Sequence, residues 1–218
     1  MDHLIPELKA PLFDGIEPEN RTAMMACIGY YILPFRKGDI ITLESETVSR
    51  IGIVLSGVVD MVKEDVWGNR TILMRLGQNE LFGETFACGT ENQSVVTFTV
   101  SEDATILFFP FGRAMHCCAN SCEFHHRLIE NLLRIIADKN QNLMRKLEVV
   151  SKRTIREKLL TYLSIQAQAQ KSRYFQIPLG RGELAEYLCV DRSALTRELV
   201  KMKEEQLLDY DRNWFRLR

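Results

Sequence analysis

The chain has 218 residues, enough for one large domain or two small ones, and 46% of them are hydrophobic, so it can bury real cores. No apolar run approaches the roughly 20 residues a membrane-spanning helix needs, and the start, Met1 to Gly15, carries acids and prolines without an apolar signal core, which points to a cytoplasmic protein with no membrane partner. The net charge of −1 conceals an asymmetry: residues 1–150 sum to −6 and residues 151–218 to +5, so the C-terminal third suits a polyanion.

Glycine divides the chain. Ten of the twelve glycines lie between Gly15 and Gly112, and from Arg113 to Ile177 there is neither glycine nor proline. A short helix is expected around Pro18–Ile28. After it the punctuated region reads as β, with apolar, branched runs at Ile51–Leu55, Val58–Val62, Thr71–Leu76, Val95–Val100 and Thr105–Phe109. Trp67-Gly68-Asn69 suits a hairpin turn, because Gly and Asn tolerate positive φ. Many short strands at this spacing suggest a sandwich or barrel.

The glycine-free region reads as a long helix. Ile129, Leu133, Ile136, Asn140, Leu143, Leu147 and Val150 alternate spacings of four and three, which is a heptad seam. Such a seam predicts a parallel homodimer, with Asn140 setting register at some expense of stability. The alternative is one broad apolar face packed on the chain's own β region. A second helix, Thr154–Gln170, buries Ile155, Leu159, Leu160 and Leu163, and a short strand begins at Tyr174 and ends at Pro178 and Gly180.

Residues 182–208 carry the sharpest pattern. Gly182–Leu188 reads as a short helix with Leu184, Ala185 and Leu188 inward, Cys189-Val190 as a turn, and Asp191 as the N-cap of a second helix from Arg192 to about Glu205. Leu195, Leu199 and Met202 share that helix's inner side. Arg192, Ser193, Thr196 and Arg197 share the other, near the N-terminus, where a recognition helix enters the major groove. Arginine forks bind guanine O6 and N7, and Ser or Thr bonds several base edges. Lys201 and Arg181 are placed to reach phosphate. Asp211-Arg212-Asn213 turns between two short strands as a wing. The bland alternative is a charged face on a small helical bundle, which the wing and the charge asymmetry together oppose. Double-stranded DNA is therefore the expected partner.

In order along the chain, Pro11-Leu-Phe-Asp-Gly-Ile, Gly38-Asp-Ile-Ile, Ile53-Val-Leu-Ser-Gly-Val-Val, Gly68-Asn-Arg-Thr-Ile-Leu, Leu81-Phe-Gly-Glu and Val190-Asp-Arg-Ser-Ala-Leu-Thr-Arg-Glu-Leu resemble the bacterial cyclic-AMP receptor protein and fumarate-nitrate regulator (CRP/FNR) family. The resemblance implies an α+β, two-domain protein. Residues 1–115 would form an N-terminal double-stranded β-helix (jelly-roll) effector domain, 116–150 a dimerisation helix, and 151–218 a winged helix-turn-helix. It implies a two-fold dimer on a near-palindromic site, with RNA polymerase as a further partner. Ser193 stands where many members carry a glutamate that accepts from cytosine, so the usual family site is not expected.

For cyclic-nucleotide members the resemblance implies a phosphate cassette after Phe-Gly-Glu. Gly83 and Glu84 match its beginning, with Glu84 at the ribose position. Ser94 and Val95 then stand where an arginine and a serine should, and no Lys or Arg occurs between Arg75 and Arg113. A buried phosphate without a cation is expensive, so cyclic AMP is not the expected effector. Lys139 and Asn140 match positions that reach the nucleotide, and a cyclic-nucleotide regulator using Lys139 as a non-standard cation is the alternative.

Two other signals are open to this chain. One is a small organic effector in an apolar pocket lined by Met74, Phe82, Phe86 and Phe98, residues that serve equally as core. The other is metal, haem or thiol sensing at His116, Cys117, Cys118, Cys122, His125 and His126, which match neither a zinc spacing nor an iron–sulfur pattern. The cofactor is thus left unassigned and no metal is expected. The cysteines, Cys27, Cys88 and Cys189 among them, are expected as free thiols filling the core. A cupin-like metalloenzyme would need inward histidines, and residues 4–115 contain none, so the chain is not expected to be an enzyme. A nucleotide-binding module that works without DNA is opposed by the winged helix.

Overall fold

The computed structural model describes residues 4–68, 70–115 and 123–218. In chain order, α1 (Leu4–Glu7) and a 3-10 turn (Pro11–Phe13) precede α2 (Pro18–Ile28). Strands β1 (Tyr31–Phe35), β2 (Ile40–Thr42), β3 (Arg50–Glu64), β4 (Arg70–Leu76) and β5 (Leu81–Phe82) follow. Then come α3 (Glu84–Ala87), β6 (Thr97–Pro110), α4 (Phe111–Met115) and the long α5 (Glu123–Val150). The chain ends with α6 (Ile155–Ala169), β7 (Tyr174–Gln176), α7 (Arg181–Tyr187), α8 (Arg192–Glu204), β8 (Leu208–Asp211) and β9 (Trp214–Leu217). Two compact units result, residues 1–137 and 138–218, and α5 contributes to both.

In the first unit the apolar runs read as separate strands prove to be parts of longer ones. Ile51–Leu55 and Val58–Val62 belong to the 15-residue β3, which pairs antiparallel with the 14-residue β6. The register slips around Ser56–Val59, where Gly57 has φ +81°, and a Cβ there would lie 2.2 Å from the Asp103 carbonyl oxygen. Only glycine fits such a bulge, so the strand bends without ending. The sheet runs β1-β6-β3-β4, with β2 on β6 and β5 on β3. The hairpin from β3 to β4 forms as expected, with Gly68 at φ +82° donating to the Asp65 carbonyl; Asn69 lies outside the described residues.

Both faces of β3 and β6 are buried, with the two-residue alternation of a strand. Ile51, Ile53, Leu55, Leu107 and Phe109 pack against α2 and against Leu128 and Leu132 of α5. Val54, Ile106 and Phe108 point the other way, into a second core with Val59, Phe82 and Phe98. Phe82 and Phe98, offered by the sequence as pocket lining, are instead packed ring to ring with centroids 5.1 Å apart, which is the core alternative.

In the second unit α6 opens with a capping box: the Glu157 amide donates to Thr154 Oγ1 at 3.2 Å and the Thr154 amide to Glu157 Oε2 at 3.0 Å. Leu159, Leu163, Leu184, Leu195, Leu199, Met202 and Phe215 form one core. A three-stranded sheet, β7-β9-β8, closes it. The fold class is therefore the one read from the sequence: α+β, a jelly-roll-type sheet unit, a long helix and a winged helix-turn-helix. The cysteines correct another expectation. Cys27, Cys88 and Cys189 are free but exposed rather than core filler, because each ends or flanks a helix on its outer side.

Candidate nucleic-acid interface and effector region

The turn between α7 and α8 is tight because Cys189 adopts φ +53° while the Val190 amide donates back to the Ala185 carbonyl at 3.0 Å. Asp191 then caps α8, its Oδ1 accepting from the Ala194 amide at 2.8 Å. Burial of Leu195, Leu199 and Met202 fixes the rotation of α8 and leaves Arg192, Ser193, Thr196, Arg197 and Lys201 exposed. Among the described residues neither Arg192 nor Arg197 is in an ion pair. The Thr196 hydroxyl donates to the Arg192 carbonyl at 2.9 Å, one turn back.

Glu198 of α8 and Glu205 at its C-cap are both bound from α6. Arg156 of α6 donates through Nε to Glu198 at 2.6 Å and through Nη1 and Nη2 to Glu205 at 2.7 and 3.0 Å. These bonds raise the Arg156 guanidinium above its ordinary value and lower the Glu205 carboxyl. Sequence reasoning passed over Arg156, because its partners are 42 and 49 positions away. Lys203 is likewise taken by Asp209 at 2.7 Å.

The sixth residue of the predicted DNA set, Arg181, sits differently. Its guanidinium lies 4.9 Å from the centre of the Tyr210 ring, and its Nη2 donates to the Arg212 carbonyl at 3.4 Å. The Arg181 Nη1 is buried without a hydrogen-bond partner. Burial, with Arg192 nearby, lowers its guanidinium.

The heptad seam splits by exposure. Leu133, Leu143 and Leu147 are 61%, 55% and 65% exposed. Asn140 is exposed, and Ile129, Ile136 and Val150 are half-buried. Other positions of α5, Leu128, Asn131 and Leu132, pack on the first unit; Asn131 Nδ2 donates to the carbonyls of Leu12 at 3.0 Å and Asp14 at 2.8 Å. The alternative of a single apolar face on the chain's own β region therefore does not account for the seam leucines.

Of the predicted effector residues, Gly83 takes φ +82° ahead of α3, and Glu84 is buried and accepts from Thr85 Oγ1 at 3.3 Å. Ser94 is buried too, but its hydroxyl donates to the Val96 carbonyl at 2.6 Å, while the Val95 side chain is exposed. These four belong to the first unit; Lys139, half-buried, and Asn140 belong to the second. The sequence did not foresee a cleft of about 660 Å³ on the sheet, lined by Lys37, Asp60, Arg70, Ile72, Arg75 and Thr99. Arg75 Nε donates to buried Asp60 at 3.0 Å, and Arg70 bonds to Thr99. Of the cysteine–histidine patch, residues 116–122 lie outside the described residues, His125 is buried and His126 is exposed. No group of three or more metal-ligating side chains occurs among the described residues.

A family model for the cyclic nucleotide-binding domain matches residues 32–121. The transcriptional activator protein FnrA of Stutzerimonas stutzeri is 22% identical over 182 residues, covering 81% of this chain and 72% of that one. The c-di-GMP responsive global regulator CLP of Xanthomonas campestris is similar in structure, with a TM-score of 0.59, 14% identity, and coverage of 86% of this chain and 93% of that one. The catabolite activator protein of Thermus thermophilus gives a TM-score of 0.50 at 20% identity, over 96% and 94% of the two chains.

Proposed function

We propose that this chain is a transcriptional regulator of the CRP/FNR kind and works as a homodimer whose winged helices read a near-palindromic DNA site, gated by an effector other than cyclic AMP; the similarity to the cyclic nucleotide-binding domain and to FnrA supports the reading. The observation that carries the reading is the outer face of α8. Two arginines, a serine and a threonine stand exposed on its first two turns, while Glu198 and Glu205 are bound by Arg156. That face offers forks and hydroxyls to base edges, and Lys201 offers a charge to phosphate. The absence of a carboxylate at Ser193 favours sites without the cytosine contact of many relatives. The exposed leucines of α5 supply the dimer seam, and two copies place two recognition helices on half-sites about one helical turn apart.

Cyclic AMP fits poorly because the cassette positions hold a hydroxyl bonded to Val96 and an exposed valine, so no cation there meets a phosphate. The test is selection of bound duplexes from a random library, followed by titration at several salt concentrations. An enriched two-fold motif is expected, with affinity that falls steeply with salt and is indifferent to cyclic AMP. Arg192→Ala and Arg197→Ala should each weaken that motif by about 1–3 kcal/mol. Equal binding to all duplexes by the unmodified protein overturns the assignment.

A further inference from the structure

The placement of Arg181 departs from a simple phosphate contact. It is the first residue of α7, yet its side chain is spent on the wing: the guanidinium lies over Tyr210 of β8, 4.9 Å from the ring centre, and Nη2 reaches the carbonyl of Arg212 in the β8–β9 turn. Nη1 is shut off from solvent. Among the described residues no carboxylate forms an ion pair with it, and Arg192, the first residue of α8, adds like charge nearby. A half-buried cation without an anion is held by the ring face and by a carbonyl dipole, both of which belong to the wing. A phosphate could reach Nη1 only after the guanidinium left Tyr210.

We propose that Arg181 is a positioning residue for DNA reading: it ties the wing to the start of α7 and so fixes the wing turn relative to the N-terminal turn of α8, without itself touching DNA. This rests on the DNA-reading function above. Arg212 is at the tip, at φ +52°, and its backbone carbonyl is the tethered group, so the tie holds the tip itself rather than the strand behind it. Arginine suits the role because its flat fork covers a ring and donates sideways at once, whereas lysine offers a point charge.

The test uses the full chain with Arg181→Ala, Tyr210→Leu, the double variant, and Tyr210→Phe, which keeps the ring. Two readouts are taken: hydrogen exchange of the amides of residues 208–217 without DNA, and affinity for the selected duplex and for a scrambled one across a salt series. The tie predicts faster wing exchange in Arg181→Ala and Tyr210→Leu, and unchanged exchange in Tyr210→Phe. Specific affinity should fall roughly three- to ten-fold, from one cation–π contact and one hydrogen bond. Scrambled-duplex affinity and the salt slope should stay unchanged, and the double variant should match either single one. A phosphate contact would instead lower the salt slope by about 0.9 and weaken both duplexes alike, which overturns the proposal, as does unchanged exchange. Should Arg181→Ala not fold, Arg181→Lys decides by the same readouts. If the unmodified protein selects no duplex, the DNA reading fails, and the exchange data still decide whether the tie exists.

Discussion

Gly57 shows how one residue sets the shape of the sheet unit. Its φ of +81° and the 2.2 Å approach that a Cβ would make to the Asp103 carbonyl leave no room for a side chain. Gly57→Ala should destabilise the protein by about 3 kcal/mol, read from chemical unfolding; a loss under about 0.5 kcal/mol would mean that the bulge relaxes. His125 acts through charge. It is 1% exposed on α5, and burial, then the neighbouring His126, hold its imidazole below the ordinary 6.5. Because the unfolded chain takes up the proton first, stability should fall as pH drops below about 6.5, and His125→Gln should flatten that fall. Equal losses for both proteins between pH 7.5 and 5.5 would remove His125 from the account. Both residues were partly readable beforehand: Gly57 as a break between apolar runs, His125 as one of a cluster of ligand types. Neither its role as a bulge within one strand nor the burial of His125 has a local signature.

At the scale of elements, α8 was the best read in advance. Its start, its cap and both faces follow from neighbours within four positions: the Asp191 carboxylate caps the helix at 2.8 Å, and Leu195, Leu199 and Met202 recur at helical spacing. Asp191→Ala should cost about 1 kcal/mol of stability and weaken specific DNA binding by loosening the first turn that carries Arg192 and Ser193. Thermal unfolding and duplex titration check this, and an unchanged melting temperature would show that packing alone holds the turn. The strands were less legible. β1, β2 and β5 are five, three and two residues long with little alternation of their own, and they exist because β3 and β6 offer them edges. The pairing of Arg156 with Glu198 and Glu205 was equally out of reach, since it joins two helices that meet only in the folded unit.

For the whole molecule the proposed dimer makes the strongest claim. Leu133, Leu143 and Leu147 stand exposed along one side of α5, and a partner copy would remove them from water. Leu143→Glu with Leu147→Glu should convert the dimer to monomer in sedimentation equilibrium and abolish binding to a two-fold site, while the melting of residues 151–218 stays intact. A dimer that survives both charges would place the interface elsewhere. Asn140, exposed within the same stripe, fits a register-setting role, at a modest expense of stability.

Periodicity, caps and turn chemistry are local. From them the sequence by itself determined the winged helix-turn-helix, the long seam, the α+β class and the family resemblance, because each depends on residues a few positions apart. Contacts between distant segments decided the rest. The two halves of β3 became one strand through pairing with β6, and the phenylalanines offered as pocket lining closed on one another as core. Arg156 closed on Glu198 and Glu205, and Arg181 turned from solvent to the wing. A side chain's environment is set by whichever surfaces folding brings to it, and no spacing along the chain encodes that.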